Sequence, residues 1–356
     1  MITLDSMPPR YPINGTFELT LRCNLHCKMC MFRRKDSENT ILEHEELNTQ
    51  QWIDMARQVA NAGTINLLIT GGEPMLRKDF CEIYRGIYEQ GFIITLYTNA
   101  TMITEKVMQT LREFPPHRIG ITLYGANNDS YKKVCGVANG FDRAIEGIKQ
   151  LRTLPSVIEY RMTLIKDNVE DLDAICHLIE GFGECVTNTL IVFSPVRGGC
   201  MPVQECRLSA EESVNLSIGR TVSKIEEMIP DSLKDKVRIR VSEKSHECNT
   251  DEEKMTLLGC DAGMNSYTVT FDGKLIGCQM LGAFYTDTIK EGFSVAWESY
   301  PFEVHLPDEP EECIKCEYKN LCKACPAVRM AECGNLNGVP KYICDFSKAM
   351  KKGVEG

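Results

Sequence analysis

The residues best suited to chemistry are three cysteines near the start of the chain, Cys23, Cys27 and Cys30, in the run Leu-Arg-Cys-Asn-Leu-His-Cys-Lys-Met-Cys. Thiolates spaced Cys-x3-Cys-x2-Cys on one loop can each take a corner of an iron–sulfur cube. The fourth iron is then left without a protein ligand and open to chemistry. A structural zinc site would normally be closed by a fourth Cys or His at finger-like spacing. His26 lies inside the loop between ligating neighbours, a poor position from which to complete a tetrahedron. A second set crowds the other end, with eight cysteines from Cys260 to Cys344 counting both. The chain has 18 cysteines, and its start, Met-Ile-Thr-Leu-Asp-Ser, lacks the basic-then-apolar pattern of a secretory signal. A cytoplasmic location is therefore expected, where disulfides are disfavoured and closely spaced Cys point to metal or redox chemistry. Cys81, Cys176 and Cys185 fall in helical or helix-end patterns and read as small apolar residues.

These groups need elements to position them. From Phe17 to about Phe193 short β-type runs alternate with amphipathic helical stretches. The strands are expected at Phe17–Leu21, Ile65–Thr70, Ile93–Thr98, Arg118–Leu123, Val157–Ile165 and Thr189–Phe193. Between them Trp52, Ile53, Ala56, Val59 and Ala60 share a helix face, as do Val107, Met108 and Leu111, and Leu172, Ile175 and Ile179. Thr104 and Asp171 are expected as N-caps. Six β–α repeats imply an α/β fold with a parallel sheet and right-handed crossovers. Six units cannot make the full eight-fold barrel, so the expectation is a partial (β/α)6 barrel with its site at the C-terminal ends of the strands. Residues 1–16 form an N-terminal extension, 17–200 the partial barrel, 201–245 a bridging region, 246–350 a small Cys-rich domain and 351–356 a tail. A helix is expected from Arg207 to Glu227 and a short strand near Arg238–Val241. The Cys-, Gly-, Pro- and Lys-rich C-terminal part suits a module held by metal rather than by a core.

With 356 residues and ordinary apolar and charged fractions, the chain can bury a sizeable core. Its formal charge of −10 argues against non-specific nucleic-acid binding. No run of eighteen or more apolar residues suggests a membrane span.

Four motifs at successive strand ends now stand together: Cys23-x3-Cys27-x2-Cys30, Gly71-Gly72-Glu73-Pro74, Thr98-Asn99 and Thr122-Leu-Tyr-Gly125. The pattern resembles the radical S-adenosylmethionine (radical SAM) superfamily over roughly residues 15 to 200. The resemblance implies a [4Fe–4S] cluster on the three cysteines. S-adenosylmethionine would bind its open iron and be cleaved reductively to a 5′-deoxyadenosyl radical that takes hydrogen from substrate. It also implies that Gly71, Gly72, Glu73 and Pro74 sit beside the cofactor's ammonium group, the glycines letting backbone approach a ligand. Asn99 and Thr122 are similar to positions contacting the ribose or methionyl part. Arg143 could pair with the cofactor's carboxylate or be a solvated helix-face residue. Val192 resembles a strand-six adenine contact. The chain departs from the usual pattern in Met29, where an aromatic is frequent, and in Tyr124, where an Asp is common.

The C-terminal cysteines resemble the SPASM extension of that superfamily, which houses two auxiliary [4Fe–4S] clusters. By position Cys260, Cys278 and Cys325 would hold one, with Cys248 or Cys333 as a fourth ligand or an open iron. Cys313, Cys316, Cys322 and Cys344 would hold the other. Cys322 and Cys325 are separated by two residues where three are usual. Zinc knuckles are the alternative, since Cys-x2-Cys pairs also read as zinc sites. The resemblance implies a peptide or protein substrate, with crosslinking or oxidation of a ribosomally made peptide as the leading expectation. It also implies an external low-potential donor of flavodoxin or ferredoxin type and a separate leader-binding protein. Sulfatase maturation fits less well, because Gln279 stands where those enzymes carry an Asp. A small-molecule dehydrogenase or lyase and a non-enzymatic electron-transfer protein stay open. Tyr124, Tyr267, Gln279 and Tyr285 are conceivable substrate-facing groups.

Overall fold

The computed structural model describes residues 9–33, 35–182, 186–189, 192, 203–228 and 256–355. The expected strand at 238–241, and Cys185, Cys200 and Cys248, lie outside them. Nine strands form one sheet: β1 (Asn14–Glu18), β2 (Asn66–Thr70), β3 (Ile93–Thr98), β4 (Arg118–Thr122), β5 (Val157–Thr163), β6 (Val186–Thr189), β7 (Ser266–Val269), β8 (Lys274–Ile276) and β9 (Thr286–Asp287). Their order is β6-β5-β4-β3-β2-β1-β7-β8-β9, so the sheet ends in two edges and does not close. β1 to β7 pair in parallel, while β8 and β9 return antiparallel.

Between the first six strands run α1 (Asn39–Glu45), α2 (Thr49–Asn61), α3 (Phe80–Tyr88), α4 (Glu105–Glu113), α5 (Asn128–Cys135), α6 (Gly140–Leu151) and α7 (Leu172–Glu180). The remainder adds α8 (Val203–Cys206), α9 (Ala210–Met228), α10 (Thr288–Glu291), α11 (Phe293–Glu303), α12 (Glu311–Ile314), α13 (Pro326–Cys333) and α14 (Lys341–Glu355). None of the described helices is long and apolar enough to cross a membrane.

The partial (β/α)6 barrel read from the sequence is present, and its sheet is larger than six strands. The C-terminal segment lays β7 directly against β1, with Phe17 opposite Val269. Alternation along each strand decides which face is buried. Phe17, Leu67, Ile69, Ile94, Leu96, Ile119, Ile121, Tyr160 and Met162 turn to the helices and form one core. Phe17 meets Trp52 of α2 with ring centroids 5.0 Å apart. The intervening residues turn to the concave face.

Boundaries shift for physical reasons. β1 starts at Asn14, because Asn14 and Thr16 are concave-face residues that an apolar count overlooks. β5 stops at Thr163 because the buried Asn168 side chain captures the next groups. It accepts from Ile165 N at 2.8 Å and donates to Thr163 O at 3.1 Å and Tyr124 O at 3.0 Å. β6 is Val186–Thr189, and residues 190, 191 and 193 of the strand expected at Thr189–Phe193 lie outside the described residues. Thr104 caps α4, its Oγ1 accepting from Val107 N at 3.3 Å. Asp171 precedes α7 but does not cap it. Its carboxylate accepts from Ala126 N at 3.3 Å and so holds the loop after β4.

Candidate functional site

The β1–β2 ladder continues past both strands. Leu19 N donates to Thr70 O (2.9 Å), Gly72 N to Thr20 O (2.7 Å) and Glu73 N to Arg22 O (2.9 Å). This zips the Gly-Gly-Glu-Pro loop to the segment leading into Cys23, and it explains the two glycines. A Cβ on Gly71, whose φ is +148°, would lie 2.3 Å from Thr20 O, and one on Gly72 would lie 2.3 Å from Arg22 O. What approaches the Cα of each of these glycines is the neighbouring backbone. Beneath the zipper, Arg22 forks onto Glu46 with Nε and Nη2 each 2.8 Å from a carboxylate oxygen. Arg77 reaches the same carboxylate at 3.3 Å and donates to Leu19 O and Leu47 O. Thr20 Oγ1 also donates to Glu46.

The cysteine loop docks on the C-terminal end of α5, where helix carbonyls lack intrahelical donors. His26 N donates to Cys135 O at 2.8 Å and Lys28 N to Val134 O at 2.9 Å. Gly136, at φ +74°, turns the chain away. Cys23, Cys27 and Cys30 thus share a pocket walled by Leu25, Met29, Val134, Ile165 and Val192. Leu25 N donates to Cys23 Sγ at 3.4 Å, and Asn99 Nδ2 stands 3.9 Å from the same sulfur. Burial pushes the Cys23 thiol up to about 12. Cys27 is held well above its ordinary value, first by a hydrogen bond with Cys135 and then by burial. Tyr124 lies against the same thiols, and burial holds its phenol well above its usual range. An apolar pocket that resists bare thiolates, with amide donors aimed at sulfur, suits a multi-iron cluster whose positive charge stabilises the ionised sulfurs.

Glu73 is fully buried and accepts from Thr98 Oγ1 (3.0 Å), Asn99 N (2.8 Å) and Met75 N (3.2 Å). Its carboxylate therefore braces the loop after β3, and burial raises it to about 7. Pro74 opens a single 3-10 turn, Pro74–Leu76, capped by Glu73. Asn99 Nδ2 donates to Asn24 Oδ1 at 3.0 Å, and Asn24 Nδ2 donates to Thr101 Oγ1 at 2.8 Å, tying the third strand end to the cysteine loop. Arg143 of α6 donates to Thr101 O at 2.8 Å, so it sits at the rim beside Asn99. Thr122 is the last residue of β4 on the concave face. Val192 is buried in the cysteine pocket wall, its carbonyl accepting from Arg207 at 3.1 Å.

The C-terminal cysteines fall into two groups. Cys278 feels both Cys260 and Cys325, each raised by burial first and by its thiol neighbours second where a shift is resolved. Cys344 feels Cys322, Cys313 and Cys316 in the same order. Cys333 in turn feels Cys313. Among the described residues no three His, Cys, Asp or Glu side chains are gathered as ligands of a single metal ion. Buried Arg329 donates to Cys313 Sγ at 3.3 Å and to Gly338 O at 2.8 Å.

Sequence reading missed the Arg22–Glu46–Arg77 cluster, Cys135 and Arg329, because each contact joins distant segments. It also missed Glu18, a buried carboxylate on the concave face of β1 that accepts from Gln279 Nε2 at 3.2 Å. Tyr267 turns out to be core: it is buried with its hydroxyl 2.8 Å from Thr64 Oγ1. Tyr285 is exposed under Lys274, 5.0 Å from its ring.

Comparison with known proteins converges on this geometry. Residues 17–179 match the family model described as the Radical SAM superfamily. An AdoMet-dependent heme synthase of Methanosarcina barkeri (strain Fusaro / DSM 804) is 27% identical over 332 residues, covering 90% of this chain and 92% of its own. Among solved structures, SuiB of Streptococcus suis bound to S-adenosylmethionine superposes with a TM-score of 0.67 at 16% identity, covering 94% of this chain and 77% of SuiB. SuiB has also been solved with its precursor peptide SuiA. The enzyme anSMEcpe with bound AdoMet gives 0.64 at 17% identity, covering 97% of both chains. At these identities the structural likeness is one of fold.

Proposed function

The chain belongs to the radical SAM superfamily through residues 17–179 and continues into a C-terminal extension, and from that premise we propose that Cys23, Cys27 and Cys30 hold a [4Fe–4S] cluster. When bound, that cluster and S-adenosylmethionine supply an electron and a 5′-deoxyadenosyl radical able to take a hydrogen atom from substrate. The observation that carries this reading is the meeting of four strand-end loops around one thiol pocket. Named bonds lock three of them: Glu73 N to Arg22 O joins the second loop to the first, Asn99 Nδ2 to Asn24 Oδ1 joins the third to the first, and His26 N to Cys135 O seats the first on α5.

The protein's own work is positioning. Gly71 and Gly72 let the second loop close on the first. Glu73 fixes Thr98 and Asn99 from below, and the carbonyls of Gly71 and Gly72 would be the acceptors for an ammonium group, since those of Glu73 and Pro74 already accept from Leu76 N and Arg77 N. Arg143 and Thr122 stand at the rim as partners for carboxylate and hydroxyl groups. The apolar wall of Leu25, Met29 and Val192 excludes water from the thiols. An external donor of flavodoxin or ferredoxin type would deliver the electron. In the extension, Cys260, Cys278 and Cys325 would hold one auxiliary cluster and Cys313, Cys316, Cys322 and Cys344 a second, forming a SPASM-type domain.

For the substrate, the relative matching over nearly its whole length is a heme synthase, which supports a small molecule of the tetrapyrrole class. A peptide substrate, with crosslinking as its outcome, is favoured by the fold shared with peptide-binding SuiB and ranks second. Gln279 is an amide donor to Glu18 rather than a carboxylate, which counts against sulfatase maturation.

The test is anaerobic reconstitution with iron and sulfide, reduction with dithionite and addition of S-adenosylmethionine. The expected product is 5′-deoxyadenosine, detected by mass spectrometry, and it should vanish in Cys27→Ala. Its absence from fully loaded wild-type protein, with candidate substrates present, would sink the proposal.

A further inference from the structure

The concave face of the sheet carries charges that the reading above does not use. In β5 Tyr160 and Met162 turn to the helices, so Glu159 and Arg161 turn to the concavity. In β4 Ile119 and Ile121 do the same, leaving Arg118, Gly120 and Thr122 on the concave side. Arg161 is in register with Thr122, at the level where β4 ends and the thiol-bearing mouth begins.

Its guanidinium lies over the Tyr97 ring, 4.6 Å from the centroid. Tyr97 occupies that place because its neighbour is Gly120, where a Cβ would come within 2.5 Å of the ring. The Nε of Arg161 stands 3.8 Å from Glu159 Oε1, and the other Glu159 oxygen accepts from Arg118 Nη1 at 3.2 Å. Two guanidinium groups thus share one carboxylate, which leaves this Arg118–Glu159–Arg161 group with a net positive charge. The outer nitrogens of Arg161 have no partner among the described residues, and the side chain keeps 36% exposure. A planar donor fork, stacked on an aromatic face and held from behind by a carboxylate, is pre-organised to accept a carboxylate in two parallel bonds.

We infer that Arg161 anchors a carboxylate of the small-molecule substrate, with Tyr97 and Glu159 as its positioning residues. The inference rests on the proposed function in one respect, that substrate stands in this concavity below the cleaved cofactor. Arg143, bound to Thr101 O at the rim, is the separate arginine left for the cofactor's own carboxylate.

The experiment uses reconstituted holoenzyme under anaerobic conditions. The probe is coproporphyrin III, a porphyrin bearing four carboxylates, titrated by absorbance against its tetramethyl ester. Wild-type protein should prefer the free acid. Arg161→Ala should weaken the free acid by about ten- to a hundredfold, the loss expected when a charged hydrogen-bonded pair is broken, and leave the ester unchanged. Arg161→Lys should recover only part, since an ammonium cannot make the fork, and it guards against a folding artefact. Equal binding of acid and ester by the wild type, or equal losses for both in the variant, overturns the anchor. A loss of S-adenosylmethionine binding in Arg161→Ala without loss of the porphyrin contrast also overturns it, reassigning Arg161 to the cofactor. Release of 5′-deoxyadenosine by the wild type reports on the function independently. If it is absent the function falls, and if it is present without an acid–ester contrast only the anchor falls.

Discussion

Gly72→Ala adds one methyl group at the point where the first two loops touch. Its Cβ would lie 2.3 Å from Arg22 O and 2.7 Å from Leu21 O. Both obstacles are backbone, so no side chain can swing aside. The loops must part, and the bonds from Gly72 N to Thr20 O and from Glu73 N to Arg22 O are lost with them. Two such bonds contribute about 1 kcal/mol each, and overpacking adds about 1–3 kcal/mol. The expected loss is therefore about 3–5 kcal/mol, a large part of the roughly 5–15 kcal/mol that holds a typical domain. Urea unfolding should read it as a lowered midpoint with little change in slope. Because Cys23 follows Arg22 directly, the reconstituted variant should also bind less iron. Gly91→Ala is the control: its φ is +87° with nothing within 4 Å of the added Cβ, so only left-handed backbone strain of about 1–2 kcal/mol remains. If Gly72→Ala proves no worse than Gly91→Ala and keeps its iron, the zipper is not what requires glycine there.

Two further outcomes follow from buried charge. The folded-state value of Glu73 is raised from 4.5 to about 7. Its contribution is therefore fully present below pH 4.5 and lost as pH rises through 7. Relative to Glu73→Gln, the wild type should lose about 3 kcal/mol of stability between pH 4.5 and 7 and then level off; parallel pH profiles of the urea midpoints would refute this. Arg207 forks onto Glu332 at 2.9 and 3.0 Å, both side chains being nearly inaccessible. Arg207→Ala should cost about 3–5 kcal/mol by taking the guanidinium fork from a buried carboxylate, and the double change Arg207→Met with Glu332→Leu should restore much of it, as read by denaturation of the single and double variants.

Much of the site was legible because its signals are local. Cys23, Cys27 and Cys30 lie within eight residues, and each of the other loop motifs directly follows an apolar run of strand type. What escaped was non-local. β7, β8 and β9 contain four, three and two residues, too short for alternation to announce them, and β7 finds its place only against β1. The donors that Glu73 receives, Thr98 and Asn99, come from the next strand. The concave-face charges were invisible because Arg118, Glu159 and Arg161 look, in sequence, like the solvent side of ordinary strands.

The pairing of β1 with β7 also governs how the chain is made. Asn14 meets Ser266, so one edge of the first strand stays unpaired while about 250 further residues are synthesised, roughly 10–50 s at ordinary ribosomal speeds. During that interval its amides and carbonyls are available to any other exposed strand. The contact order of the whole sheet is dominated by this last joint, which slows completion relative to a fold built from neighbouring units. A chain cut after residue 200 would keep every cofactor-loop motif yet carry an open β1 edge, and aggregation rather than a minimal working barrel is its expected fate.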